Sequence, residues 1–293
     1  MSAEPAGARV SIESIKGREA AEPPLVCLTA YSAYIARLLD EHVDILLVGD
    51  SLGMVLYGME STRDVTLEMM IAHACAVAQN SKHALTVVDM PRGTYDTSGS
   101  ALANARRLVC ETGCAGVKLE GGSVRADIVK HLVDNGINVM GHIGILPQSV
   151  QTPGGYKVVG KHPDERSALL EDAAALEKAG VFSIVIEGVI EPVAREISQA
   201  ASVPLIGIGA SPHCQGQILV AEDMLGLTQN PPRFTKQYAR LDNVLRQAVI
   251  DFAEDVRARR FPSAEHVYHA NIEQLPRRKQ TTQPQHKKSA ANG

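Results

Sequence analysis

Eight short apolar runs recur along the chain, separated by segments with helical patterns, and this repetition restricts the fold more than any other feature. The runs do not alternate polar and apolar residues, which is typical of strands buried on both faces of a parallel sheet. Eight such strands joined by right-handed helical crossovers predict a (β/α)8 TIM barrel in the α/β class. The runs are Leu25–Leu28, Ile45–Val48, Leu85–Val88, Gly116–Leu119, Asn138–Gly141, Ser183–Ile186, Leu205–Ile208 and, with the weakest pattern, Gln217–Val220.

The intervening segments contain apolar residues at helical spacing. Thr66 is an N-cap candidate, Gly113 and Gly180 are positioned to end helices, and Pro192 fits a first turn. The terminal helix has Leu241, Leu245, Val249 and Phe252 on one stripe. The predicted helices are Thr66–Asn80, Ala101–Thr112, Arg166–Ala179, Glu191–Ala200 and Leu241–Arg260.

The chain has 293 residues, a length that fits one barrel or two smaller domains. No repeat or linker interrupts residues 11–268, so we predict a single catalytic domain over residues 1–275, with residues 1–10 loosely ordered. Residues 276–293 contain five Lys or Arg and no acid, which predicts a disordered basic tail.

Charge and composition exclude several classes of function. Without the tail, the remaining 275 residues have a net charge of −9, and there is no Trp and few Phe, so nucleic-acid binding is disfavoured. No apolar run approaches a membrane span. Five cysteines without a C-x-x-C pair and no signal-peptide pattern predict a cytoplasmic protein.

Charged residues end five successive apolar runs. In such a barrel the active site lies at the carboxyl ends of the strands, so these side chains are expected to converge. They are Asp50 with Ser51 after the second run, Asp89 after the third, Lys118 and Glu120 in and after the fourth, His142 at the fifth and Glu187 at the sixth.

Four carboxylates at one barrel mouth require a cation to offset their repulsion. Because the candidate ligands are oxygens and not thiolates or several imidazoles, the pattern favours Mg²⁺ over zinc. Simpler roles compete: Asp50, Asp89 and Glu187 could serve as helix caps or turn residues, and His142 fits a buried core histidine as well as a substrate contact.

The glycine-rich stretches do not match nucleotide-binding motifs. The segment QTPGGYKVVGK at residues 151–161 lacks P-loop spacing and is a candidate lid over the mouth. The segment IGIGAS at residues 206–211 lacks the dinucleotide-binding register.

Seven strings together resemble the ketopantoate hydroxymethyltransferase family: VGDSLGMVLYG, VTLEMMIAH, VVDMPRGTY, GVKLEGG, GHIGILPQSV, GGYKVVGK and DMLGL. They occur in family order from about Val10 to Tyr268. The resemblance implies a barrel of the phosphoenolpyruvate/pyruvate superfamily type with helical additions at both ends. It also implies Mg²⁺, 5,10-methylenetetrahydrofolate as one-carbon donor, and a homodecamer.

By the same resemblance, the residues matching Asp50, Asp89 and Glu120 bind Mg²⁺, those matching Ser51 and Lys118 contact the oxo acid, and the one matching Glu187 accepts the proton. The implied reaction transfers a hydroxymethyl group to 3-methyl-2-oxobutanoate through a metal-stabilised enolate, giving 2-dehydropantoate. These residue types suit the implied reaction. A metal polarises the carbonyl and Lys118 offsets the negative charge of the enolate. A carboxylate then suffices as the base.

Five positions depart from the family pattern: Ser32, Arg92, Leu146, Ser211 and Gln215. Ser211 and Gln215 replace Gly and Asp, which predicts altered folate or product contacts. A superfamily lyase that needs no folate, or a non-catalytic barrel, remain the alternative functions.

Overall fold

The eight predicted strands form one closed parallel barrel in sequence order. The structure is a computed structural model that describes residues 9–18, 22–151 and 155–269. The first and last strands pair through Leu25 with Gly216 and Cys27 with Ile218, which closes the ring. The strands are β1 (Leu25–Thr29), β2 (Ile45–Val48), β3 (Leu85–Asp89), β4 (Gly116–Glu120), β5 (Val139–Gly144), β6 (Ser183–Glu187), β7 (Leu205–Ile208) and β8 (Gly216–Leu219).

Several strands run further than the apolar runs indicated. Thr29, Asp89, Glu120 and Glu187 are the last residues of β1, β3, β4 and β6, because a ladder of backbone hydrogen bonds continues whether or not a side chain is apolar. β5 extends to Gly144, past the predicted end at Gly141, while β8 starts and ends one residue before its prediction.

Ten α-helices are assigned within the part of the chain that the structure describes. All five predicted helices are present, but two begin three residues earlier than predicted. Thr97 and Ser100 form a capping box before Ala101, and Pro163 starts the helix predicted from Arg166. The helices are α1 (Ile12–Lys16), α2 (Ala33–Leu39), α3 (Leu52–Val55), α4 (Leu67–Ala78), α5 (Ser98–Thr112), α6 (Ala126–Asp134), α7 (Pro163–Ala179), α8 (Glu191–Ala200), α9 (Ala221–Met224) and α10 (Leu241–Arg257).

Two apolar layers lie on opposite faces of the sheet. The outer layer packs helices on the barrel, with Leu108, Leu132 and Leu176 fully buried. The inner layer fills the barrel, and Ile15 of α1 belongs to it with 1% exposure. Its other buried members are Leu25, Cys27, Ile45, Leu47, Leu85, Val87, Met140, Phe182, Val185, Ile206 and Ile218. Strands buried on both faces are therefore confirmed, and α1 supplies the expected N-terminal helical addition.

A buried carboxylate fixes the entry into β3. Asp40 accepts hydrogen bonds from Ser81 Oγ and from the backbone N–H groups of Lys82, His83 and Ala84, at 2.6 to 3.2 Å. Burial alone would raise the pKa of Asp40, but these hydrogen bonds together outweigh burial and lower it. Sequence reasoning did not identify this residue.

The chain separates into two compact units at the Asp242–Asn243 bond. In the second unit, α10 has no buried residue and exposes Val244, Leu245, Val249 and Phe252. The predicted tail at 276–293 and residues 1–8 lie outside the described residues, so the predicted domain limits stay a prediction. Among the helices in the described ranges, none has the length and apolar character needed to cross a membrane.

Candidate active site

All seven predicted site residues lie in or directly after β2 to β6, at the carboxyl end of the barrel. Asp89, Glu120 and Glu187 end their strands, and Asp50 and Ser51 follow β2 after Gly49. Parallel register pairs Asp89 with Lys118, and Glu120 with His142. Their side chains therefore face one another across neighbouring strands.

A buried ion pair lies at the centre of this cluster. Lys118 Nζ is 2.9 Å from Asp89 Oδ1, and the two side chains are 6% and 4% exposed. Burial alone would lower the pKa of Lys118, but the charges of Asp89, Glu120 and Asp50 outweigh burial and raise it. The lysine is therefore a fixed positive charge inside the strand layer.

The remaining carboxylates have more negative charge around them than Lys118 neutralises. Burial and then repulsion from Asp89 raise the pKa of Asp50 to about 7. Burial and then the charge of Asp50 raise the pKa of Glu120 well above its usual range. A bound cation would relieve this repulsion.

Asp50 and Asp89 are neighbours in the structure. The backbone N–H of Asp50 donates to Asp89 Oδ2 at 3.1 Å. Neither residue caps a helix, because Ser51 precedes α3 and Thr97 caps α5. The capping alternative is also wrong for Glu187, since Ile190 is the N-cap residue of α8.

His142 joins the two halves of the cluster. Its Nδ1 is 3.4 Å from Lys118 Nζ and 3.7 Å from Glu120 Oε1, and its Nε2 is 3.3 Å from Glu187 Oε2. Burial and then the Lys118 charge lower the pKa of His142, although Glu187 opposes them. The imidazole is therefore neutral at pH 7 and lies between the lysine and the outermost carboxylate.

The hydroxyl of Ser51 contacts an aromatic residue at the end of β1. Ser51 Oγ is 2.7 Å from Tyr31 OH. A Cβ on Gly49 would lie 2.9 Å from Ser51 Oγ and 3.6 Å from Asp89 Oδ2. The glycine at position 49 thus leaves room for the two polar groups beside it.

Sequence reasoning missed a second layer of residues that hold the acids. Gln148 Nε2 donates to Asp50 Oδ2 at 2.8 Å, and the Gln148 N–H donates to Glu120 Oε2 at 3.0 Å. Tyr95 OH donates to Gln148 Oε1. Gln148 belongs to the GHIGILPQSV string that also contains His142, but its role depends on a loop path that periodicity does not determine.

The donor chemistry of Asp50, Asp89 and Glu120 fits a hard divalent cation. All three offer carboxylate oxygens, and Asp89 Oδ1 is a buried oxygen whose contact with Lys118 does not have hydrogen-bond geometry. Over residues 9–18, 22–151 and 155–269, no three or more His, Cys, Asp or Glu side chains are already gathered as ligands. Carboxylate oxygens are the donors that a hard divalent cation takes.

Of the five departures, three have clear structural positions. Ser32 caps α2 by accepting the Ile35 N–H. Ser211 Oγ donates to Glu191 Oε1. Gln215 Oε1 accepts the Leu205 N–H at the amino end of β7, remote from the strand-end acids, so Gln215 gives no structural reason to expect altered substrate contacts.

The candidate lid lies between β5 and α7. Residues 152–154, including Gly154, lie outside the described residues. Further on, the Val159 N–H donates to Gly188 O at 3.0 Å, next to Glu187. Burial and then the charges of Glu187 and Asp50 raise the pKa of Tyr156.

Two cavities of about 430 and 490 Å³ lie away from the strand-end acids. The first adjoins Gln215 at the amino ends of the strands, and the second adjoins Phe234. The candidate site is therefore identified by its charges and hydrogen bonds and not by its volume.

Comparison with known proteins identifies the family. The model of the ketopantoate hydroxymethyltransferase family matches residues 9–264. A 3-methyl-2-oxobutanoate hydroxymethyltransferase from Brucella canis is 54% identical over 261 residues, covering 88% of this chain and 94% of the relative. The protein of that name from Sinorhizobium medicae is 54% identical over 260 residues with the same coverage.

Solved structures of low identity share the fold. 2,3-Dimethylmalate lyase, a member of the PEP mutase/isocitrate lyase superfamily, aligns with TM-score 0.58 and 17% identity over 83% of this chain and 88% of that chain. Phosphonopyruvate hydrolase in complex with oxalate and Mg²⁺ aligns with TM-score 0.56 and 10% identity over 87% and 91%. The predicted (β/α)8 barrel is confirmed, and the chain belongs to the ketopantoate hydroxymethyltransferase family of transferases.

Proposed function

We propose that this chain transfers a hydroxymethyl group from 5,10-methylenetetrahydrofolate to 3-methyl-2-oxobutanoate, giving 2-dehydropantoate for pantothenate synthesis. The family match and the printed names of the relatives support the reaction. The observation that supports the site is the buried Lys118–Asp89 pair, with His142 beside Lys118 and 3.3 Å from Glu187.

Asp50, Asp89 and Glu120 would hold Mg²⁺ at the carboxyl end of the barrel. The cation would supply Lewis acidity, since chelation of the 2-oxo and carboxylate oxygens acidifies the neighbouring C–H bond. Crowded carboxylates with a raised pKa at Asp50 and Glu120 support this assignment. The Mg²⁺ bound to phosphonopyruvate hydrolase, a protein of similar fold, is consistent with it.

Lys118 and Ser51 would bind the oxo acid. The Lys118 ammonium is held in place by Asp89, so it offers a preorganised positive charge to the substrate oxygen on which negative charge develops. The Ser51 hydroxyl, oriented by Tyr31, would donate to the substrate carboxylate. His142 is neutral and would contact the substrate without adding charge.

Glu187 would be the general base. Its side chain is 18% exposed, compared with 3% for Glu120, so it is the more accessible of the two glutamates. It would accept the C3 proton of the oxo acid, and the resulting carbanion would attack the methylene carbon of the folate. Both C–N bonds of that methylene carbon would break in the transfer. Water would supply the hydroxyl oxygen before the carbon–carbon bond forms, because the product C3 is quaternary and a CH₂–N bond beside it would not hydrolyse afterwards, and tetrahydrofolate would leave.

Exchange of the C3 hydrogen in D₂O tests this proposal without the folate. With 3-methyl-2-oxobutanoate, we expect Mg²⁺-dependent deuterium incorporation in wild-type protein and a reduction of about 100-fold or more in Glu187→Gln. Product formation should then require methylenetetrahydrofolate. A lyase of the same superfamily would leave C3 of this oxo acid unexchanged, and equal rates in Glu187→Gln would contradict the assignment of the base.

We also propose a homodecamer in the cytoplasm, with catalysis within residues 1–275 and no nucleic-acid or membrane partner. The family match supports the assembly. All five cysteines are free thiols, which is consistent with a reducing compartment. Light scattering coupled to size exclusion would measure the assembly, and a monomer would contradict it.

A further inference from the structure

Gln148 has an unusual position in the turn after β5. It lies in the one-turn 3₁₀ helix Pro147–Ser149, and its side chain is buried with 4% exposure. Its carboxamide donates to Asp50 Oδ2 at 2.8 Å and to Met90 O at 2.9 Å. Its backbone N–H donates to Glu120 Oε2 at 3.0 Å. One residue therefore holds carboxylates at the carboxyl ends of two different strands.

The orientation of this carboxamide is fixed from the other side. Tyr95 OH donates to Gln148 Oε1, so the oxygen of the amide faces Tyr95 and the NH₂ group faces Asp50. Both NH₂ hydrogens then have acceptors, Asp50 Oδ2 and Met90 O. The reversed amide would place its oxygen against two acceptors, Asp50 Oδ2 and Met90 O.

A neutral donor suits this position better than a cation. Lys or Arg beside Asp50 would neutralise the carboxylate and repel an incoming divalent ion. An amide instead holds the oxygen in place and leaves the negative charge available for a ligand role.

We infer that Gln148 is a positioning residue for the cation site, setting the orientation of Asp50 through its side chain and of Glu120 through its backbone N–H. This inference rests on the proposed function and deepens it. Gln148 touches neither substrate nor metal in this scheme. Its effect is on the affinity of the carboxylates for the ion.

Calorimetric titration of Mg²⁺ into the metal-free, full-length protein tests the inference. We expect Gln148→Leu, which keeps the approximate side-chain size, to weaken Mg²⁺ binding by about 10- to 100-fold. The C3 exchange rate of the variant should approach that of wild type as the Mg²⁺ concentration is raised, because the defect is in Mg²⁺ binding. A purely structural role would give a loss that added Mg²⁺ does not recover.

Gln215→Leu is the matched control. Gln215 is also a partly buried glutamine with hydrogen bonds to backbone groups, namely the Leu205 N–H and Ser198 O, but at the amino end of the barrel. It should retain wild-type Mg²⁺ affinity. An affinity of Gln148→Leu within twofold of wild type, or an equal loss in Gln215→Leu, would overturn the inference.

Tyr95→Phe is a second variant that tests the positioning role of Gln148 if Gln148→Leu does not fold. It removes only the hydroxyl that orients the carboxamide, and we expect Mg²⁺ affinity to fall about 3- to 10-fold. An unchanged affinity would overturn the positioning role. Wild-type protein without Mg²⁺-dependent exchange would refute the proposed function itself, whereas wild-type exchange with normal Mg²⁺ affinity in the variants refutes only the role of Gln148.

Discussion

Replacing Asp50 by Asn should stabilise the metal-free protein while removing its metal site. The raised pKa of Asp50, about 7 compared with 3.8, means that its ionised form is disfavoured in the folded state. Each pKa unit corresponds to about 1.4 kcal/mol, so ionised Asp50 lowers the free energy of unfolding by up to about 4 kcal/mol. Asn has the same shape and can still accept the hydrogen bond from Gln148.

The sign of the pH dependence follows from the direction of the shift. Because the folded pKa is above the unfolded value, the penalty is absent below pH 3.8, grows as pH rises towards about 7, and is constant above that. At pH 8 in EDTA, we expect Asp50→Asn to raise the free energy of unfolding by about 2 to 4 kcal/mol. The Tm should rise by about 5 to 10 °C, and the difference should shrink at pH 5.

Thermal melts at pH 5, 6, 7 and 8 in EDTA measure this difference. Asp40→Asn is a control of opposite sign, because the lowered pKa of Asp40 stabilises the folded state at every pH in this range. It should lower the free energy of unfolding by about 2 to 4 kcal/mol through its lost hydrogen bonds, at pH 5 as at pH 8. An Asp50→Asn variant that melts at or below wild type at pH 8 would refute the reasoning.

Three further substitutions test other parts of the structure. Lys118→Met leaves the neighbouring acids without the positive charge of the lysine, so we expect about 3 to 5 kcal/mol of destabilisation in EDTA at pH 8. The C3 exchange rate should fall by about 100-fold or more. Retained exchange would contradict the role of Lys118 in substrate binding. Ile15→Ala empties part of the inner layer and should reduce the free energy of unfolding in urea by about 2 to 5 kcal/mol, with unchanged Mg²⁺ affinity by calorimetry as the check that the site is intact. Gly49→Ala places a Cβ 2.9 Å from Ser51 Oγ, so the hydroxyl must shift. The KM for the oxo acid in the exchange assay should rise by up to about tenfold. An unchanged KM would show that Ser51 does not bind the oxo acid.

The strands and the polar residues that end them could be predicted from the sequence because both are local patterns. Parallel strands bring their carboxyl ends to one side, so Asp89, Lys118 and Glu187 converge once the barrel is recognised. The strand limits were less accurate, since Asp89 and Glu187 belong to the ladder although their side chains are charged.

Contacts made by loops could not be predicted in the same way. Gln148 bonds to Asp50 across 98 residues of sequence, and Asp40 bonds to three backbone groups about 43 residues away. Neither contact leaves a periodic pattern. The location of Gln215 at the amino end of β7, away from the strand-end acids, likewise could not be predicted from the sequence.

The apolar filling of the barrel has an electrostatic consequence for the charged layer above it. Met140, Val185 and the other inner residues form a medium of low polarisability beneath Lys118 and the acids, and Ile15 belongs to the same filling. Field lines from these charges are weakly screened on that side and are directed outward through the mouth. The apolar interior of the barrel thus strengthens the attraction of the acidic cluster for cations approaching from solvent, without any additional charged residue.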